Sequence, residues 1–139
     1  MAEAKKILRI EDDREIAALI AEELIERGYE NIVAYDGREG LAAILKETPD
    51  LVLCDIRMRN MSGFEVLEQL IEIAPRFAHM PFVFLTGIAD RESRLRGLQL
   101  GADDYVVKPI DFDALATIIV ARLAQCRTNQ RMGTTGAAQ

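Results

Sequence analysis

Five side chains able to do chemistry stand at the ends of apolar runs. Glu11 and Asp12 follow "KILRI", with Asp13 just behind; Asp55 closes "LVLC"; Thr86 ends "FVFL"; Lys108 ends "YVV" and precedes Pro109. Carboxylates gathered in one place repel. At an effective dielectric near 20, a pair about 4 Å apart costs roughly 4 kcal/mol. Either their pKa values rise or a cation lies among them. Oxygen ligands without His or Cys select a hard cation, and Mg²⁺ characteristically takes one or two carboxylates and keeps several waters. A cation, an ammonium and a hydroxyl around one carboxylate are what phosphoryl transfer needs, since they stabilise charge spread over the phosphoryl oxygens. A carboxylate can itself be the nucleophile. The pattern points to Asp55 as a phosphoryl acceptor.

For these residues to meet, their strands must run parallel and side by side. Strand-like segments at 6–10, 31–35, 50–55, 82–86 and 103–108 alternate with helix-like ones. The helices are expected to face inward through Ile16, Leu19, Ile20 and Leu24; Leu41, Ile44 and Leu45; Phe64, Leu67, Leu70 and Ile71; and Leu115, Ile118, Ile119 and Leu123. Asp13 is the natural cap of the first helix, which frees Glu11 and Asp12. Strict β-α alternation means a parallel sheet with helices on both faces, a doubly wound α/β (βα)5 sandwich. The short, half-polar second strand reads as an edge, and the apolar third, fourth and fifth as interior strands. In the flavodoxin-like order 2-1-3-4-5, strands 1 and 3 flank the switch point where ligands bind, and the acidic residues end those two strands.

Composition narrows the rest. The chain has 139 residues, half of them apolar and 29% charged, enough for one buried core. A net charge of −6 argues against direct nucleic-acid binding, which needs a basic face. No apolar run has membrane-spanning length, and "MAEAKK" lacks a signal-peptide core, so the expected location is cytoplasmic. Cys54 and Cys126 have no metal-ligand or redox spacing. Cys54, inside an apolar strand, reads as a small hydrophobe. Residues 127–139 lose periodicity and read as a disordered tail or the start of a linker after a domain at 5–126.

The stretches "KILRIEDD", "LVLCDIRM…SG", "FVFLTG" and "GADDYVVKPID" resemble the CheY-like receiver domain of two-component response regulators over about residues 5–125. The resemblance implies that Asp55 takes a phosphoryl group from a histidine kinase or histidine phosphotransfer protein, with Mg²⁺ (or Mn²⁺) as cofactor. Asp12 would bind the ion with help from Glu11, partly through water, Asp55 would bind it directly, and the backbone carbonyl of Arg57 would complete the protein ligands. Thr86 and Lys108 would contact the phosphoryl oxygens, and Lys108–Pro109 would be a cis peptide. Tyr105 would be the switch aromatic, moving with Thr86, and residues 90–126 would form the output surface and a possible homodimer contact. The chain would be a signalling switch that assists its own phosphorylation and dephosphorylation, and not an enzyme acting on separate substrates.

Other readings compete. Asp55 could be a strand-ending cap, Thr86 a locally bonded hydroxyl, Lys108 a solvated surface residue and Tyr105 plain core. A receiver that is never phosphorylated should lack an acidic, Thr or Lys position, and none is lacking. An aspartate-nucleophile phosphatase of the haloacid dehalogenase type needs a second Asp where this chain has Arg57. A flavodoxin-like nucleotide binder wants a Gly-rich or hydroxyl-rich first loop, and "EDDRE" is neither. Arg59 stands where many receivers carry Pro, which makes this loop less constrained and more basic.

Overall fold

Asp13, Asp36, Ser62 and Asp90 each open a helix, their side-chain oxygens accepting from backbone N–H groups of the first turn. The computed structural model describes residues 4–87 and 90–137, with the side chains of 126–137 outside the described set. The order is β1 (Lys6–Ile10), α1 (Arg14–Glu26), β2 (Glu30–Ala34), α2 (Gly37–Glu47), β3 (Leu51–Asp55), α3 (Gly63–Ile73), β4 (Phe82–Thr86), α4 (Arg91–Gln99), β5 (Asp104–Val107) and α5 (Phe112–Ala137). A single 3-10 turn, Pro75–Phe77, links α3 to β4. All five strands pair in parallel in the order β2-β1-β3-β4-β5. The expected doubly wound sheet is present in the expected order.

Alternation along the strands divides the core into two layers. Leu8, Ile10, Val52, Cys54, Phe82 and Phe84 meet the apolar stripes of α2 and α3. Ile7, Leu51, Leu53, Val83 and Leu85 meet Ile20 and Leu24 of α1 and Leu115 and Ile119 of α5. Burial on both faces explains why β3 and β4 are continuous apolar runs.

Two sequence expectations change in detail. Leu19, Leu45 and Ile71, expected inside, lie exposed. Each neighbours the residue that does point inward (Ile20, Ile44, Leu70), and a one-residue step turns a side chain about 100° around a helix axis. The fifth strand is an edge and not an interior strand. Its apolar residues are accounted for by Tyr105 packing into one layer and Val106 against the other, while Val107 stays exposed. The tail or linker expected at 127–139 falls on residues whose side chains lie outside the described set.

One glycine fixes how α3 meets the end of β3. Gly63 donates its N–H to the Ile56 carbonyl at 2.8 Å. A Cβ at this position would lie 2.3 Å from the Asp55 carbonyl oxygen, a backbone atom that cannot swing aside. Gly63→Ala is therefore expected to destabilise the domain by about 1–3 kcal/mol through overpacking. Chemical denaturation checks this, and an unchanged midpoint would show that the β3–α3 junction can yield.

Candidate functional site

The parallel register brings the carboxyl ends of β1, β3 and β4 to one rim. Ile10 pairs with Cys54, and Asp55 with Leu85, so Glu11 and Asp55 leave neighbouring strands at one level. Glu11 is held there by its N–H to the Ala34 carbonyl at 3.0 Å. Asp13 caps α1, as expected, and turns the chain away immediately after Asp12. Glu11, Asp12 and Asp55 each present a carboxylate oxygen, and these oxygens lie within 4.8 Å of one another. Glu11 and Asp55 are buried and Asp12 is half-buried.

Lys108 reaches the same point from the end of β5. Its Nζ donates to Asp55 Oδ2 at 3.2 Å and to Glu11 Oε1 at 2.9 Å. The Lys108 N–H donates to the Thr86 carbonyl at 2.7 Å, and the Lys108–Pro109 peptide is cis. Thr86 is buried at the end of β4, one residue beyond the partner of Asp55. Asp55 Oδ1 accepts from the Ile56 N–H at 2.8 Å. The structure thus brings together Glu11, Asp12, Asp55 and Lys108, with Thr86 on the adjoining strand end. Arg57 follows on the exposed loop, and Tyr105 lies buried in the α2–α3 layer.

Sequence reasoning passed over Arg9. Its side chain is fully buried, with Nη2 on Glu11 Oε1 at 2.5 Å and Nη1 on the Ile10 and Leu53 carbonyls at 3.0 and 3.2 Å. The available signal was a charge flanked by apolar residues in "KILRI", two residues before Glu11 and hence on the same face of the strand.

The pocket holds three carboxylates against two cations. Burial pushes the Asp55 carboxyl up to about 6; Glu11 pushes the same way and Lys108 opposes. Burial also acts to raise Glu11, but Arg9 and then Lys108 outweigh it and hold that carboxyl below its ordinary range. Burial lowers the Arg9 guanidinium, with Glu11 opposing. Burial raises the Tyr105 phenol, and Asp90 adds to the rise. An oxygen-only set with uncompensated negative charge fits a hard divalent cation. Asp55 is at once a candidate ligand and a candidate nucleophile, held by Lys108.

A family model described as the response regulator receiver domain matches residues 7–120. The chain belongs to that family. Among relatives of this receiver domain, response regulator ArlR of Staphylococcus saprophyticus is 36% identical over 118 residues, covering 85% of this chain and 52% of ArlR. The transcriptional regulatory protein DltR of Streptococcus agalactiae is 39% identical over 132 residues, covering 92% of this chain and 58% of DltR. The chain thus spans little more than half the length of these relatives. A CheY-like receiver domain protein of Methanospirillum hungatei is similar in structure, with a TM-score of 0.84 and 33% identity, covering 91% of this chain and 98% of that one. Among the described residues, no helix is long and apolar enough to cross a membrane.

The raised Asp55 pKa sets a pH dependence. A folded state that binds this proton more tightly than the unfolded chain loses stability as pH rises from about 4 to about 6. Asp55→Asn removes the buried charge. In metal-free protein its melting temperature at pH 8 is expected to exceed wild type by roughly 5 °C. The gain should shrink as pH falls through about 6 and vanish near 4, where both side chains are neutral. Thermal melts in chelator across that range check it; a gain independent of pH would contradict the assignment.

Proposed function

We propose that this receiver domain takes a phosphoryl group onto Asp55 from a phosphohistidine of a histidine kinase or phosphotransfer protein. The observation that supports this most is the meeting of Glu11, Asp12 and Asp55 with Lys108 Nζ bonded to Asp55. A carboxylate oxygen of Asp55 attacks phosphorus in line. The new P–O bond forms as the donor P–N bond breaks, and the imidazole leaves with the electron pair and takes up a proton. Hydrolysis of the acyl phosphate later returns inorganic phosphate and the free carboxylate.

Asp12, Asp55 and the Arg57 carbonyl are the groups that would hold Mg²⁺ (or Mn²⁺) directly, with Glu11 helping through water; the ion supplies charge neutralisation for the phosphoryl oxygens. Lys108 is placed to follow the charge as it moves from Asp55 to the phosphoryl group, because its ammonium already bridges Asp55 and Glu11. The Thr86 hydroxyl supplies a donor from the neighbouring strand end. Phosphorylation adds about −1.5 to −2 charge beside Thr86. Drawing Thr86 toward that charge shifts the following loop and Tyr105, and residues 90–126 present the change to an output partner or a second copy of the chain. Residues 127–139 serve as a tail or the start of a linker. The chain works in the cytoplasm as a switch that assists its own phosphorylation and dephosphorylation, without binding nucleic acid itself.

Incubation with acetyl phosphate and Mg²⁺ is expected to add one phosphoryl-sized mass to the wild-type chain. Asp55→Asn or EDTA should abolish the gain. Intact-mass spectrometry reads the result. A gain that survives Asp55→Asn would overturn the assignment of the acceptor. If acetyl phosphate gives no gain, beryllofluoride titration is the second readout, and absence of binding there as well would sink the proposal.

A further inference from the structure

Arg9 occupies a place where a strand buried on both faces calls for an apolar side chain. It lies in β1 between Val33 of β2 and Leu53 of β3, with no side-chain exposure. Among the described residues its Nε has no hydrogen-bond partner. Burying a guanidinium so completely is costly, and the charge is tolerated only where an opposite charge compensates it. Glu11 is that charge.

This pairing alters what Glu11 can offer the pocket. Its Oε1 already accepts from Arg9 Nη2 and from Lys108 Nζ. Its Oε2 faces the Asp13 N–H at 3.4 Å. Both oxygens are thus engaged by groups of the protein. With Arg9 counted, the pocket's formal charge is −1, from Glu11, Asp12 and Asp55 against Lys108 and Arg9. An apolar residue at this position would make it −2.

We propose that Arg9 is a positioning residue that sets the charge of the pocket: by holding Glu11 it leaves Asp12 and Asp55 as the charged ligands of the divalent cation and lowers the pocket's affinity for that ion. The inference rests on the reading of the pocket as a cation site. A weakly held ion leaves Lys108 as the standing partner of Asp55 between phosphorylation events.

The test uses the full chain with Mn²⁺ as probe, free Mn²⁺ being followed by electron paramagnetic resonance at fixed pH and ionic strength. Arg9→Met keeps much of the volume and removes the charge; it is expected to tighten Mn²⁺ binding about tenfold or more. Arg9→Lys, which restores the charge, should return affinity close to wild type. Arg9→Gln, which keeps amide donors for the Ile10 and Leu53 carbonyls but carries no charge, should tighten binding in the same direction. A merely structural Arg9 would lower the melting temperature on substitution without moving the affinity. Folded Arg9→Met with wild-type or weaker affinity overturns the proposal. Where Arg9→Met does not fold, a folded Arg9→Gln with wild-type or weaker affinity overturns it, and failure of both variants to fold, which would leave Arg9 merely structural, overturns it as well. Failure of wild type itself to bind Mn²⁺ would instead defeat the cation-site reading.

Discussion

Carboxylates crowded at the ends of two neighbouring parallel strands are the constraint on which the rest of this domain depends. Glu11, Asp12 and Asp55 cannot share a rim at low cost, and the molecule answers with a line of alternating charge: Arg9, Glu11, Lys108, Asp55. Each member is held by the next, so the line fixes the height at which β1, β3 and the end of β5 meet. It also leaves Asp55 as the member under least compensation, bonded to a lysine that it shares with Glu11. The most buried members, Arg9 and Glu11, anchor the line, and its open end is Asp55, the proposed acceptor.

The sheet makes this possible because its two faces are closed by separate layers. Neither core cluster needs the strand ends for burial, which leaves those ends free for polar side chains. Gly63 then brings α3 against the Asp55 backbone with no side chain between, and Ile56 donates its N–H to Asp55 Oδ1. Asp55 is therefore fixed from its own main chain as well as by Lys108. The fixed Asp55 carboxylate contrasts with the exposed Arg57 and Arg59 loop beside it.

Much of this was legible in the sequence. Apolar runs end abruptly where strands end, so the residues that close them could be assigned to one rim from pattern alone, and the strand order followed from a small set of permitted topologies. Leu19, Leu45 and Ile71 were misplaced because hydrophobicity marks a band of a helix wider than the part that is covered. The 2-1-3-4-5 order already put β5 at an edge; its apolar residues suggested an interior strand because both faces of an edge strand can still be packed. Arg9 escaped for a different reason: one charge between apolar neighbours in a five-residue strand is too little to set a period, and its meaning depends on Glu11, two residues on. The part proposed for the Arg57 carbonyl is beyond any reading of side-chain types, since a backbone oxygen leaves no mark in the residue beneath it.

Cys54 sits in the middle of this arrangement, fully buried in β3 with its thiol directed at the Asp55 carbonyl at 3.2 Å. Burial pushes the thiol pKa far up, so in the folded chain it is neither ionised nor within reach of a reagent. Alkylation at Cys54 must wait for the central strands to part. Its rate is accordingly a clock for opening of the sheet beneath the pocket, carried by the native sequence with no label added.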